Sequence, residues 1–163
     1  MANRVDSRDI SLGEERVVRV NRTSATVKGG RRFSFNALIV IGDEKGVVGW
    51  AQGKAREVPI AVDKAVRNAR KNLYRVPLKD TTIPHEIVGK FGPSSVKLMP
   101  AGPGTGIIAG ATVRAVLEAA GVKNVLAKAY GSNNSLNVVQ ATFDGLLKLR
   151  SKQDLEALRG VKI

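Results

Sequence analysis

The sequence predicts an α+β chain of two small units, and three observations carry that prediction. Three β-type segments broken by glycine turns and closed by one amphipathic helix come first, all before Pro77. After Pro77 the pattern changes, and short strand-like pieces alternate with helical stretches. The length of 163 residues, 43% of them apolar, suits one medium domain or two small ones, with no need for disulfides or metals.

Residues 1–14 read as a flexible polar arm. The arm mixes charges and lacks an apolar stretch, so neither a signal peptide nor a transit peptide is expected. Val17–Val27 is a β-branched segment that ends at the turn Lys28-Gly29-Gly30-Arg31. In Phe33–Ile41, Phe33, Phe35, Ala37, Ile39 and Ile41 occupy one face, with Ser34 and Asn36 opposite. A second turn, Gly42-Asp43-Glu44-Lys45-Gly46, leads into the short strand Val47–Ala51. Both turns are hairpin signals, because glycine reaches the positive φ that tight turns demand. From about Glu57 to Tyr74 the residues Val58, Val62, Ala65, Val66, Ala69 and Leu73 recur at helical spacing. Pro59 suits the first turn, where a missing N–H costs nothing. Lys64, Arg67, Lys71 and Arg75 step along another face. Residues 15–76 therefore form a β-β-β-α unit.

Residues 77–150 form the second unit. Strand-like pieces lie near Thr81–Lys90 and Ser95–Met99, and the loop Pro100–Gly106 follows. A helix near Gly110–Ala120 turns Val113, Val116, Leu117 and Ala120 inward and stops at Gly121. Val122–Tyr130 is a strand. Ser135 can cap a last helix through about Leu149 that buries Leu136, Val139, Phe143 and Leu147. Residues 151–163 are a tail, either a short helix or disordered.

Charge speaks most directly to function. Lys and Arg number 27 against 14 Asp and Glu, a formal +13. Such an excess implies a polyanionic partner. Six cations and no acid lie between Arg16 and Phe33; seven cations face only Glu57 and Asp63 between Lys54 and Arg75. There is no cysteine, which removes thiolate metal sites and fits a reducing compartment. No apolar run approaches the roughly 20 residues that span a bilayer, and the cytoplasm is the expected location. His85 is the sole histidine, and the acids are scattered. Aromatic residues make up 4%, too few for a platform that reads a run of single-stranded bases, and Phe33, Phe35 and Trp50 read as core.

Only one stretch invites an enzymatic reading. Gly104-Thr105-Gly106-Ile107-Ile108-Ala109 matches G-x-G-x-x-A between a strand and a helix, where backbone N–H groups can cradle a phosphate. The acid needed about 20 residues later is absent, as is the G-K-[ST] ending of a P-loop. No enzyme, cofactor or metal is expected.

Several motifs in unbroken order then carry a family likeness. Asn21-Arg22, Thr26–Arg31, Phe33-Ser34-Phe35, Gly53–Pro59, Gly104–Gly110 and Asn124–Gly131 resemble the bacterial S-five family of small-subunit ribosomal proteins. The likeness covers roughly residues 15–150. It implies a first domain related to the double-stranded-RNA-binding fold and a second α/β domain with a left-handed βαβ crossover. It also implies small-subunit rRNA as ligand where the head meets the body, the proteins S-four and S-eight as neighbours, and a place along the path by which messenger RNA enters. Roles in translational accuracy and subunit assembly follow, with the glycine hairpin close to the spectinomycin site.

Carried over by position, the rRNA-binding residues are Arg19, Asn21, Arg22, Lys28, Gly29, Gly30, Arg31, Arg32, Lys54 and Arg56. Arg67 and Lys71 join them from the basic helix face, where a solvated surface is the alternative. Gly104, Gly106 and Arg114 fall at a protein interface with S-four. Two other functions share parts of this pattern: a free-standing double-stranded-RNA-binding regulator, and a nucleotide-dependent enzyme using Gly104–Ala109.

Overall fold

The strand-forming residues before Pro77 build one antiparallel sheet. In the computed structural model, which describes residues 4–5 and 10–162, its strands are β1 (Arg4–Val5), β2 (Arg16–Val27), β3 (Gly30–Gly42), β4 (Val47–Ala55) and β5 (Leu73–Arg75). Their order is β1-β5-β4-β3-β2. Helix α1 (Val58–Arg70) crosses one face and buries Ala61, Ala65, Val66 and Ala69. Gly53 of β4 has no Cβ because none fits: one placed there would lie 2.1 Å from the Ala61 carbonyl oxygen of α1.

The second domain is α/β with a mixed sheet. Strands β6 (Ile87–Phe91), β7 (Ser94–Pro100), β8 (Ile107–Ile108) and β9 (Val125–Gly131) lie in the order β6-β7-β9-β8. Only β8 and β9 run parallel, joined through α2 (Ala111–Ala119) as a βαβ unit. Helix α3 (Ser135–Lys148) covers β6 and β7. A Cβ on Gly89 of β6 would lie 2.0 Å from the Ala141 carbonyl oxygen. Asp144 of α3 accepts from the Lys90 N–H at 2.9 Å and from Lys148 Nζ at 2.6 Å. Burial pushes its carboxyl up, but these two hydrogen bonds and the Lys148 charge outweigh that and hold it below the usual carboxylate range.

Strand β3 ties the two domains together. Ile39 and Ile41 pack under α1, whereas Leu38 and Val40, pointing the other way, join a core with Val113, Val116 and Leu117 of α2 and Val139 of α3. The run Ala37–Ile41 is thus buried on both faces, the pattern of a central strand rather than of a half-exposed one. Trp50 of β4 lies on the same side as Val40 and packs against Phe143 of α3.

Several sequence-based expectations change. Of the arm at 1–14, Arg4 and Val5 instead pair with Tyr74 and Leu73, and Ile10 and Leu12 pack on the core beneath α1; residues 1–3 and 6–9 lie outside the described residues. The first helix ends at Arg70, not Tyr74. Leu73 kept the helical spacing, but Leu73–Arg75 pair with β4, so Arg75 does not share a helix face with Lys64 and Arg67. The strand expected over Thr81–Lys90 narrows to β6, because Thr81 and Thr82 hydrogen-bond to Asn124 instead of to a neighbouring strand. Asn134, not Ser135, caps α3, its side chain accepting from the Leu136 N–H at 3.2 Å. The buried stripe of α3 runs through Val138, Val139, Phe143 and Leu146, with Leu136 and Leu147 only half-buried. Residues 152–159 form helix α4, started by a capping box of Ser151 and Asp154.

Candidate nucleic-acid interface

Strand β4 stops pairing with β3 at Phe35↔Ala55, whereas β2 and β3 continue together to Val27↔Gly30. The last five pairs form a two-stranded ribbon that projects roughly 17 Å beyond the sheet at about 3.4 Å per residue. Lys28 and Gly29 make its two-residue tip, and Gly30 takes φ +131°, a conformation that L side chains rarely adopt. Gly29 is not at positive φ, so the demand of the turn falls on Gly30 alone. A Cβ at either glycine would meet nothing within 4 Å.

Pairing fixes which way each side chain stands. Arg19, Asn21 and Arg32 share the face that Leu38 and Val40 turn to the second domain. Across three strands Asn21, Asn36 and Lys54 lie side by side there. Arg19 is partly engaged, with Nε donating to Asn21 Oδ1 at 3.0 Å and Nη1 to Ser135 Oγ at 3.5 Å. Arg22 and Arg31 stand on the opposite face with Phe33. Phe33 is not core: it is 45% exposed, and the Arg22 guanidinium carbon lies 3.8 Å from its ring centroid. That cation–π contact stiffens a ribbon with no core of its own. Arg16, by contrast, pairs with Glu118 of α2 and, at 3.7 Å, with Glu44.

Lys28, Arg31, Arg32, Lys54, Arg56, Arg67 and Lys71 are all exposed, and among the described residues none is in a salt bridge. They do not form one patch. The ribbon holds the first three and Lys54 lies at its base. Arg56 follows β4 and Arg67 stands on α1. Lys71 sits at the far end of α1, where its carbonyl accepts from Arg4 at 2.7 Å.

The expected protein-interface residues gather in the second domain. Gly104 and Gly106, at φ +88° and +73°, belong to an exposed loop, and a Cβ at either would meet nothing within 4 Å. The Arg114 guanidinium donates to the Ile107 carbonyl at 3.2 Å. The loop does not present a phosphate cradle. Gly104 and Gly106 precede strand β8 instead of leading straight into a helix, and α2 starts only after Gly110. The Gly106 N–H is already given to Asn124 Oδ1 at 3.0 Å.

Asn124 is the residue that sequence reasoning missed here. It is buried; besides accepting from Gly106, its amide donates to Thr81 Oγ1 at 2.9 Å and its carbonyl accepts from Thr82 Oγ1 at 2.6 Å. One side chain thus pins the glycine loop to the entrance of the domain. The family motif that opens at Asn124 marks the position, but nothing in its spacing tells that the side chain reaches back to Thr81 and Gly106. Among the described residues, no cluster of three or more His, Cys, Asp or Glu could hold a metal, and no helix is long and apolar enough to cross a membrane.

A two-domain α+β body that extends an acid-free basic ribbon beyond its sheet is a protein of the nucleic-acid-binding class. Comparison with known proteins narrows the class. Residues 13–77 match the family model described as ribosomal protein S5, N-terminal domain, and residues 89–159 match ribosomal protein S5, C-terminal domain. The small ribosomal subunit protein uS5 of Chloroflexus aurantiacus is 56% identical over 146 residues, 90% of this chain and 82% of its own length. That of Lawsonia intracellularis is 58% identical over 146 residues, 90% of each chain. The chain belongs to the uS5 family of small ribosomal subunit proteins.

Proposed function

We propose that the chain is a structural constituent of the small subunit of the cytoplasmic ribosome, and that it binds rRNA at the head–body junction chiefly through the β2–β3 ribbon. One observation carries this reading: from Arg16 to Phe33 there are six cations and no carboxylate, and among the described residues only Arg16 of the six is in an ion pair. Lys and Arg on a rigid frame neutralise phosphates and release counterions, which fixes RNA shape without reading sequence. The open glycine backbone of the tip lets RNA approach closely. In the second domain, the exposed Gly104–Gly106 loop and Arg114 would meet the neighbouring protein S-four. Contact with S-eight, with messenger RNA along its path into the subunit, and an influence on translational accuracy follow from the family likeness. The work is scaffolding, with no catalytic residue and no cofactor.

The experiment is binding of the isolated chain to structured small-subunit RNA across a salt series. Each phosphate neutralised should contribute about 0.7–0.9 to the slope of log K against log salt. A slope near zero would sink the electrostatic account. Co-sedimentation with small subunits separates a resident scaffold from a free-standing RNA-binding regulator.

A further inference from the structure

A cleft of about 510 Å³ opens where α1 and β4 of the first domain meet α3 of the second. Trp50, Gln52, Asn68 and Gln140 line it together with Arg4 and Lys71, and among the described residues no carboxylate does. The indole is held in place by Phe143, their ring centroids 6.4 Å apart and the planes tilted by 58°. Arg4 is fixed by donating to the carbonyl of Lys71 at 2.7 Å and to Asn72 Oδ1 at 3.1 Å. The side-chain amides of Gln52, Asn68 and Gln140 and the indole N–H of Trp50 make no hydrogen bond within the described residues. None is sealed from solvent.

This set of groups has a chemical match. A primary amide offers a donor and an acceptor side by side, and pairs with the donor–acceptor edge of adenine in two bonds. An aromatic face stacks on a base, and paired cations take a phosphate. The volume falls in the range of roughly 300–1,000 Å³ usual for small-ligand sites. The chain has too few aromatics to read a run of bases, but one pocket needs only one ring.

We propose that this cleft receives a single unpaired nucleotide of the bound RNA, an adenosine by its amide match, with the base on Trp50 and its phosphate at Arg4 and Lys71. The inference rests on the RNA-binding reading above and adds a second, base-reading contact that spans both domains.

Trp50 is the only tryptophan in the chain, so its fluorescence reports on the cleft alone. The intact protein is titrated with a hexameric oligoadenylate, with an abasic ribose-phosphate hexamer and with AMP. Oligoadenylate should change the Trp50 emission and bind at least about tenfold tighter than the abasic chain. Gln52→Ala with Gln140→Ala should weaken oligoadenylate about tenfold at an unchanged melting temperature. If that pair fails to fold, Asn68→Asp on exposed α1 puts a carboxylate in the cleft and should weaken binding by a similar factor.

Equal binding of the abasic chain, or binding that leaves Trp50 emission unmoved, overturns the proposal. So does AMP binding tighter than oligoadenylate, which would make the cleft a free-nucleotide site. Duplex RNA binding is followed in parallel with wild type and with the Lys28→Ala, Arg31→Ala variant. Duplex binding that depends on those cations, without a Trp50 response, removes only the cleft. Loss of both removes the RNA-binding reading itself.

Discussion

Strand β3 begins and ends at glycine turns that look alike in sequence and do opposite things in the fold. At its start, Lys28-Gly29-Gly30 hangs in open space, with nothing within 4 Å of where a Cβ would stand on either glycine. At its end, Gly42–Gly46 is driven into the second domain. The N–H groups of Glu44 and Gly46 donate to the Ala119 and Ala120 carbonyls at 3.2 and 3.0 Å, satisfying the exposed C-terminus of α2 from the other domain. A Cβ on Gly42 would lie 2.0 Å from the Ala119 oxygen, and one on Gly121 would lie 2.0 Å from the Glu44 oxygen. One turn leaves its glycines in open space, where no atom comes within 4 Å of a Cβ. The other needs glycine because its own chain already lies against it. Glycine content therefore does not distinguish an open turn from a packed one; what lies across from it does.

That contrast can be broken at its strongest point by Gly121→Ala. The new methyl meets the Glu44 backbone, and φ +84° adds strain, so unfolding in urea should show a loss of about 3 kcal/mol. Gly30→Ala at the free turn carries only the conformational cost, about 1–2 kcal/mol, with no collision. If the two substitutions cost the same, the packing distinction is wrong. Arg16→Ala should cost about 0.5–1 kcal/mol by removing the ion pairs with Glu118 and Glu44, yet leave the salt slope of RNA binding alone. Lys28→Ala with Arg31→Ala should do the reverse: a stability change within about 0.5 kcal/mol, and an RNA slope shallower by about 1.4–1.8. A double variant that melts far below wild type with RNA binding unchanged would make the ribbon a structural brace.

Away from both turns, Asp144→Asn supplies the smallest effect and its sign is fixed. A folded carboxyl held below its unfolded value stabilises the protein above the unfolded value, near 3.9, and loses that contribution as pH falls through the folded value. The stability gap between wild type and variant should thus be present at pH 7 and close below about pH 4. A gap that widens in acid would contradict the assignment.

Much of this was readable from residue order. The β-β-β-α start, the basic hairpin and the stop at Gly121 follow from periodicity and turn chemistry, which are local. What was hidden is what two distant segments decide together. Leu73 fits a helix stripe and a strand equally well, and only the free edge of β4 chooses the strand. Leu38 and Val40 interrupt an alternating pattern for no local reason; α2 and α3 supply it. Phe33 looked like core because aromatics usually are, and its exposure depends on where β4 stops. For the candidate site, residue identities were legible while grouping was not. Arg19 and Arg22, three apart in one strand, face opposite ways because strand sides alternate, whereas Arg16, also three from Arg19, shares its face because the register shifts between Val17 and Arg19.

The sharing of β3 between two cores also has a consequence in time. Synthesis delivers the first domain whole, while residues beyond Pro77 need roughly ten seconds more at typical elongation rates. During that interval Leu38, Val40 and Trp50 present an oily face that lacks its α2 and α3 cover, since Val113, Val116, Leu117, Val139 and Phe143 have yet to emerge. A chain truncated after Val76 should bind a hydrophobic dye strongly, and the full chain should not. The newborn protein is therefore most exposed to misassociation halfway through its own manufacture, and the second domain is a lid made to measure for the first.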